Sequence, residues 1–157
     1  MSEPPLSQAD YDALADAWNA GPVCDYFGFR ARFVAGERVI VEVGDIHAGK
    51  RGGKGSGAIN GGILAALFDF SIGLSTMLVA PTRRSATVQL SIQLMRGVMG
   101  ESARCETTID RETSSMIFAT ARLFDEAGVV CGQCIGISAL GKPRTFDEVR
   151  ASLRLGH

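Results

Sequence analysis

The stretch Asn60-Gly61-Gly62-Ile63-Leu64-Ala65-Ala66-Leu67-Phe68-Asp69-Phe70-Ser71-Ile72-Gly73-Leu74 decides the fold. Its apolar residues run round every side of a helix, and helical composition continues to about Val79 before Pro81. A helix that is apolar all round is buried, wrapped by something else. A membrane span is the competing reading for residues 61–80. Asp69 near its middle would cost about 2.5–3.5 kcal/mol on insertion, so a buried core helix fits better.

Working outward, a short helix runs from Ala9 to Asn19 behind the start signal Ser7-Gln8-Ala9-Asp10, and Gly21-Pro22 ends it. Phe29–Ala35 and Arg38–Gly44 have strand composition around Gly36. After the central helix, Thr87–Leu94 alternates polar and apolar, which predicts one wet and one dry face. Ala103–Asp110, Ser115–Phe124 and Val129–Leu140 follow as strands, the last two joined by the turn Asp125-Glu126-Ala127-Gly128. This order predicts an α+β fold, a curved antiparallel meander wrapped around one long central helix. One domain is expected over residues 1–157, with an N-terminal helical segment at 1–27 and a charged tail at 141–157. An open six-stranded sheet leaves edges that invite pairing with a second copy.

The bulk numbers exclude several classes. Sixteen basic against 17 acidic residues argues against a nucleic-acid or anionic-membrane partner. Aromatic residues make up 7%, with Trp18 the one tryptophan, which speaks against a base-stacking surface. The start Met-Ser-Glu-Pro-Pro lacks the basic and apolar run of a secretory signal, and Cys24, Cys105, Cys131 and Cys134 suit free buried thiols. A cytoplasmic location follows as the expectation. Cys131 and Cys134 form a CxxC inside a predicted strand, where i and i+3 point to opposite faces, so no metal site is expected. No cofactor is expected either. Eight of the 19 glycines lie between Gly44 and Gly62. Two nucleotide motifs nearly match there and fail: Gly44-x4-Gly49-Lys50 is followed by Arg51 in place of Ser or Thr, and Gly55-x-Gly57-x-x-Asn60 lacks its third glycine. Lys50, Arg51 and Lys54 fit a mobile solvated loop better than a phosphate cradle.

Asp69 is the only charge between Gly55 and Thr82. An unpaired carboxylate set among Leu67, Phe68, Phe70 and Ile72 is expected to pay a desolvation cost, which marks a functional candidate. The alternatives are a water-facing carboxylate or a structural pair with an arginine. Asn60-Gly61-Gly62 opens the same helix. Its unpaired N–H groups and partial positive charge can form an oxyanion hole. In the plainer reading Asn60 is an N-cap and the glycines make a tight turn.

The run from Asn60 to Asp69, with the strands around it, resembles the hotdog-fold acyl-CoA thioesterases, most of all the phenylacetate-degradation type. The resemblance spans about Phe29 to Leu140. It implies hydrolysis of an acyl-CoA thioester, with the acid on Asp69, the oxyanion amide on Gly61 and a positioning hydroxyl on Thr87. Asn60 stands where the family has His, and Lys54 where it has an Asn credited with orienting water or the thioester. Asn60, Gly62, Lys54, Phe68 and Arg96 are expected around the substrate. Phe68, Phe70, Leu67 and Met77 either line an acyl pocket or fill the core, and Arg83, Arg84 or Arg96 either meet CoA phosphates or stay solvated. Gly61 and Asp69 lie about 12 Å and about 80° apart on one helix, too far to meet one carbonyl. A homodimer solves this by pairing Asp69 of one copy with Gly61 of the other, and the resemblance implies the same arrangement. A dimer of dimers is a further expectation. Two rival functions remain: a non-catalytic acyl-CoA-binding protein, and a hydratase or dehydratase using His47.

Overall fold

The computed structural model describes residues 6–154; the acidic start and the last three residues of the tail lie outside them. Helix α1 (Gln8–Asn19) is capped reciprocally: the Ser7 hydroxyl accepts the Asp10 N–H at 3.2 Å, and the Asp10 carboxylate accepts the Ser7 N–H at 3.0 Å. Gly21-Pro22 ends α1 and also starts α2 (Pro22–Phe27), which sequence reading missed. Proline at a first helical position gives up no intrahelical hydrogen bond.

Six strands follow: β1 (Phe29–Val34), β2 (Arg38–Val43), β3 (Arg83–Leu94), β4 (Ala103–Glu112), β5 (Met116–Asp125) and β6 (Val130–Pro143). They form one antiparallel sheet in the order β1-β2-β4-β5-β6-β3. With α3 (Gly61–Ser75) packed across it, this is the hotdog fold that the sequence resembles. The expected meander holds only for β4-β5-β6. β3 crosses to the far edge beside β6, and β2 pairs directly with β4. A last helix, α4, covers Phe146–Arg154.

Helix α3 buries one side, not all of it. Leu64, Leu67, Phe68, Ser71 and Ile72 face the sheet, while Asp69 is exposed and Phe70 and Gly73 are half-buried. The sheet covers one flank of the helix only, which is why periodicity overstated its burial. Residues 61–78 have a mean hydropathy of 1.6, and half of them are buried inside this fold. Two contacts fix the helix to the sheet. Ser71 Oγ and Thr107 Oγ1 lie 2.6 Å apart in the core. Gly136 of β6 admits Ile72, for a Cβ there would fall 2.7 Å from Ile72 Cγ2.

The two sheet edges differ. On β1 the Asn19 side chain accepts the Ala31 N–H and donates to the Ala31 carbonyl, while Gln8 does the same for the Ala35 N–H and the Phe33 carbonyl. Those amides occupy the backbone groups that an incoming strand would need. Among the described residues no such bonds cover the outer edge of β3. Of the expected dry face of β3, Leu90 and Ile92 are only half-buried, while Val88, in a bulge between Thr87 and Gln89, is 57% exposed and Leu94 47%.

The glycine-rich segment is a pinned hairpin rather than a mobile loop. The Asn60 N–H donates to the Lys50 carbonyl at 2.8 Å, and the Gly52 N–H to the Ala58 carbonyl at 2.7 Å. Arg51 closes it, donating to the Gly57 and Gly100 carbonyls at 2.9 and 2.6 Å and pairing with Glu101 at 2.7 Å. Lys50, expected in solvent, is buried with Nζ donating to the Gly44 carbonyl at 3.2 Å. All four cysteines are free and buried. Cys131 sits in a bulge, between the rungs Phe124–Val130 and Leu123–Gly132. Strict alternation is therefore lost, and Cys131 and Cys134 are both buried.

Candidate active site

Asp69 projects from the uncovered flank of α3 into an open groove of about 560 Å³. One wall is helical: Ala17 and Trp18 of α1, then Gly21, Pro22 and Val23 leading into α2. The floor is Phe70, Gly73, Leu74 and Met77. The other wall is β3, with Arg83, Arg84, Ser85 and Thr87, and Arg144 and Val149 close the far end. Trp18 is held over this floor by an edge-on contact with Phe70 (5.8 Å between rings) and an Nε1–H bond to Met77 Sδ at 3.4 Å.

Asp69 and Thr87 therefore share one cleft. Gly73, one turn beyond Asp69, brings them together: a Cβ there would lie 3.7 Å from Thr87 Oγ1, so the glycine keeps the space between helix and strand open. Beneath, burial pushes the Cys134 thiol up to about 11, and the Asp69 charge acts in the same direction. Burial pushes Cys105 further, to about 12. Both thiols stay protonated and serve as packing, not as nucleophiles.

The helix N-terminus lies elsewhere. Asn60 Oδ1 accepts the Gly62 N–H at 2.7 Å, the N-cap that the plainer reading expected. The Gly61 N–H has no hydrogen-bond partner among the described residues. Gly61 is exposed beside Leu94, whose Cδ1 would lie 3.4 Å from a Cβ on it, and it does not line the groove of its own chain. Lys54, at the exposed tip of the hairpin, and Arg96, exposed just past β3, also lie outside the groove.

Phe68 needs correction. It has no exposed surface and belongs to the core with Leu67, while Phe70 and Met77 face the groove. Arg83 is likewise spent on structure, donating to the Gly141 and Ser114 carbonyls at 2.7 and 2.8 Å. His47 Nδ1 accepts the Gly49 N–H on an exposed turn, away from the cleft. Trp18 and α2 were missed as site elements, because nothing local in their sequence shows which face of α3 they cover. No cluster of His, Cys, Asp and Glu able to hold a metal occurs among the described residues.

With this cleft in view, residues 56–132 match the family model of the thioesterase superfamily. The chain carries a thioesterase-superfamily domain over these residues. The matched span runs from the hairpin through α3 and β3 to the bulge in β6. The fold is shared with solved structures of low identity. The Escherichia coli PaaI protein of the phenylacetic acid degradation operon superposes with a TM-score of 0.74 at 10% identity, covering 88% of this chain and 99% of that one. Zebrafish thioesterase superfamily member 2 gives 0.70 at 21%, covering 87% and 99%. A thioesterase from Haemophilus influenzae gives 0.72 at 9%, covering 88% and 93%. No curated protein sequence matches the chain. Among the described residues this thioesterase's one groove-lining carboxylate, Asp69, lies inside the matched span.

Proposed function

We propose that this thioesterase hydrolyses acyl-CoA esters with an apolar acyl group, aromatic or of medium to long chain, at sites shared between two copies of the chain. The observation that carries this reading is the placement of Asp69 with Thr87 over an apolar floor, while the free Gly61 N–H faces away from that groove. An acyl group fits between Trp18, Phe70 and Met77, and the resemblance to the phenylacetate type makes aromatic acyl groups the first to try. The partner's Gly61 N–H, at the positive end of its helix, polarises the thioester carbonyl. Asp69 takes a proton from water, and the water oxygen adds to the carbonyl carbon. Collapse of the tetrahedral intermediate breaks the C–S bond. The proton passes from Asp69 to the departing sulfur, releasing the carboxylic acid and free CoA. Direct attack by Asp69, through an anhydride that water then opens, is the other route open to the same carboxylate.

Thr87 positions the water or the carboxylate. Asn60 and Gly62 shape the oxyanion end, where Lys54 and Arg96 meet the CoA of the partner's groove, and Arg84 meets phosphate at the groove's own rim. The dimer is supported by the open edge of β3 beside the sealed edge of β1, and by exposed Val88, Leu94 and Ile135. Four free thiols support a cytoplasmic setting.

Release of CoA from a panel of acyl-CoAs, followed with a thiol reagent, tests this. Asp69→Asn is expected to lose roughly 10²–10⁴-fold in kcat with an unchanged melting temperature, because the residue is exposed. A well-folded variant at wild-type rate would overturn the assignment. Lys54 and Asn60 at the two altered motif positions favour a second reading, acyl-CoA binding without chemistry; tight binding with no turnover by the wild-type protein would establish it.

A further inference from the structure

Ser138 of β6 is buried (1% exposed), and its hydroxyl has no hydrogen-bond partner. Such orphaned groups are rare in folded proteins and cost stability. Its surroundings give it a use. Ser138 lies directly across the β3–β6 ladder from Thr87. Directly opposed residues point to the same face, with Cβ atoms about 4.5–5.5 Å apart. A bulge follows at once, between Thr87 and Gln89, the kind of irregularity that re-aims side chains beside active sites. The neighbouring hydroxyls are committed elsewhere: Thr76 Oγ1 and Ser85 Oγ pair at 2.8 Å.

We infer that Ser138 is a positioning residue for thioester hydrolysis, its hydroxyl bonding to Thr87 Oγ1 once substrate is bound and so aiming the Thr87 hydroxyl at the water or carboxylate in the groove. Catalytic hydrogen bonds are often long in the free enzyme and tighten in the complex. The inference rests on the proposed role of Thr87, and the geometry of the rung supplies the rest.

The test is a cycle of Ser138→Ala, Thr87→Val and the double variant, with kcat, KM and melting temperature measured for each. Ser138→Ala is expected to melt no lower than wild type, since it removes an unsatisfied buried group. Its kcat should fall about fivefold to tenfold, the worth of one hydrogen bond between neutral groups, with KM little changed. In the Thr87→Val background it should cause no further loss. Wild-type kcat in Ser138→Ala, or the same loss with and without Thr87, would overturn the inference. Failure of the underlying reading looks different: Thr87→Val then turns over at wild-type rate, or the wild-type protein releases no CoA, and the inference falls with it.

Discussion

Gly61 contributes to the proposed chemistry a single N–H at the first position of α3. That atom can be removed without disturbing the helix. Proline is favoured at this position, and the preceding Asn60 already has φ −59° and ψ 134°, the extended conformation a following proline demands. Gly61→Pro is therefore expected to fold normally and lose about 10²–10³ in kcat; circular dichroism with a CoA-release assay checks both. Retained activity would move the oxyanion site off Gly61. Asp69 was legible in the sequence because it interrupts a long uncharged run, and the Asn60 cap because caps follow local rules. The exposure of Asp69 was not legible, nor was the choice between Phe68 and Phe70. Those two residues lie about 200° apart around the helix axis, and only the position of the sheet decides which one meets solvent.

Packing density between elements rests on small residues. Gly136 lets Ile72 lie against β6, and Gly73 leaves the gap that Thr87 faces. Gly136→Ala would drive a methyl to within 2.7–2.9 Å of three Ile72 atoms, and Ile72 is itself buried and branched. A loss of about 1–3 kcal/mol is expected, measurable by urea unfolding. Strand existence was readable from composition, and most boundaries fell within a few residues. Strand order was not, because pairing β2 with β4 and sending β3 to the far edge depends on contacts between distant segments. The hairpin at 50–60 was misjudged for a related reason. Its glycines signal freedom, but the arginine that fixes them bonds to Gly100 and Glu101, about fifty positions away.

For the molecule as a whole, the proposed division of labour between copies has a direct test. Asp69→Asn and Gly61→Pro proteins, each inactive alone, should regain about one quarter of wild-type activity when mixed and allowed to exchange subunits, since half the dimers then carry one intact site. No recovery after demonstrated exchange would place both groups in the same copy. The resemblance gave the expectation of a pair, but the asymmetry of the edges became visible only in three dimensions, where Gln8 and Asn19 reach strand β1. In the vocabulary of polymer chemistry, a sheet with two reactive edges is a bifunctional monomer and grows without limit, while one with a single reactive edge is monofunctional and stops at two. In the proposed pair the side-chain amides of Gln8 and Asn19 act as chain terminators, and shortening them is expected to turn that pair into a unit able to grow into a filament.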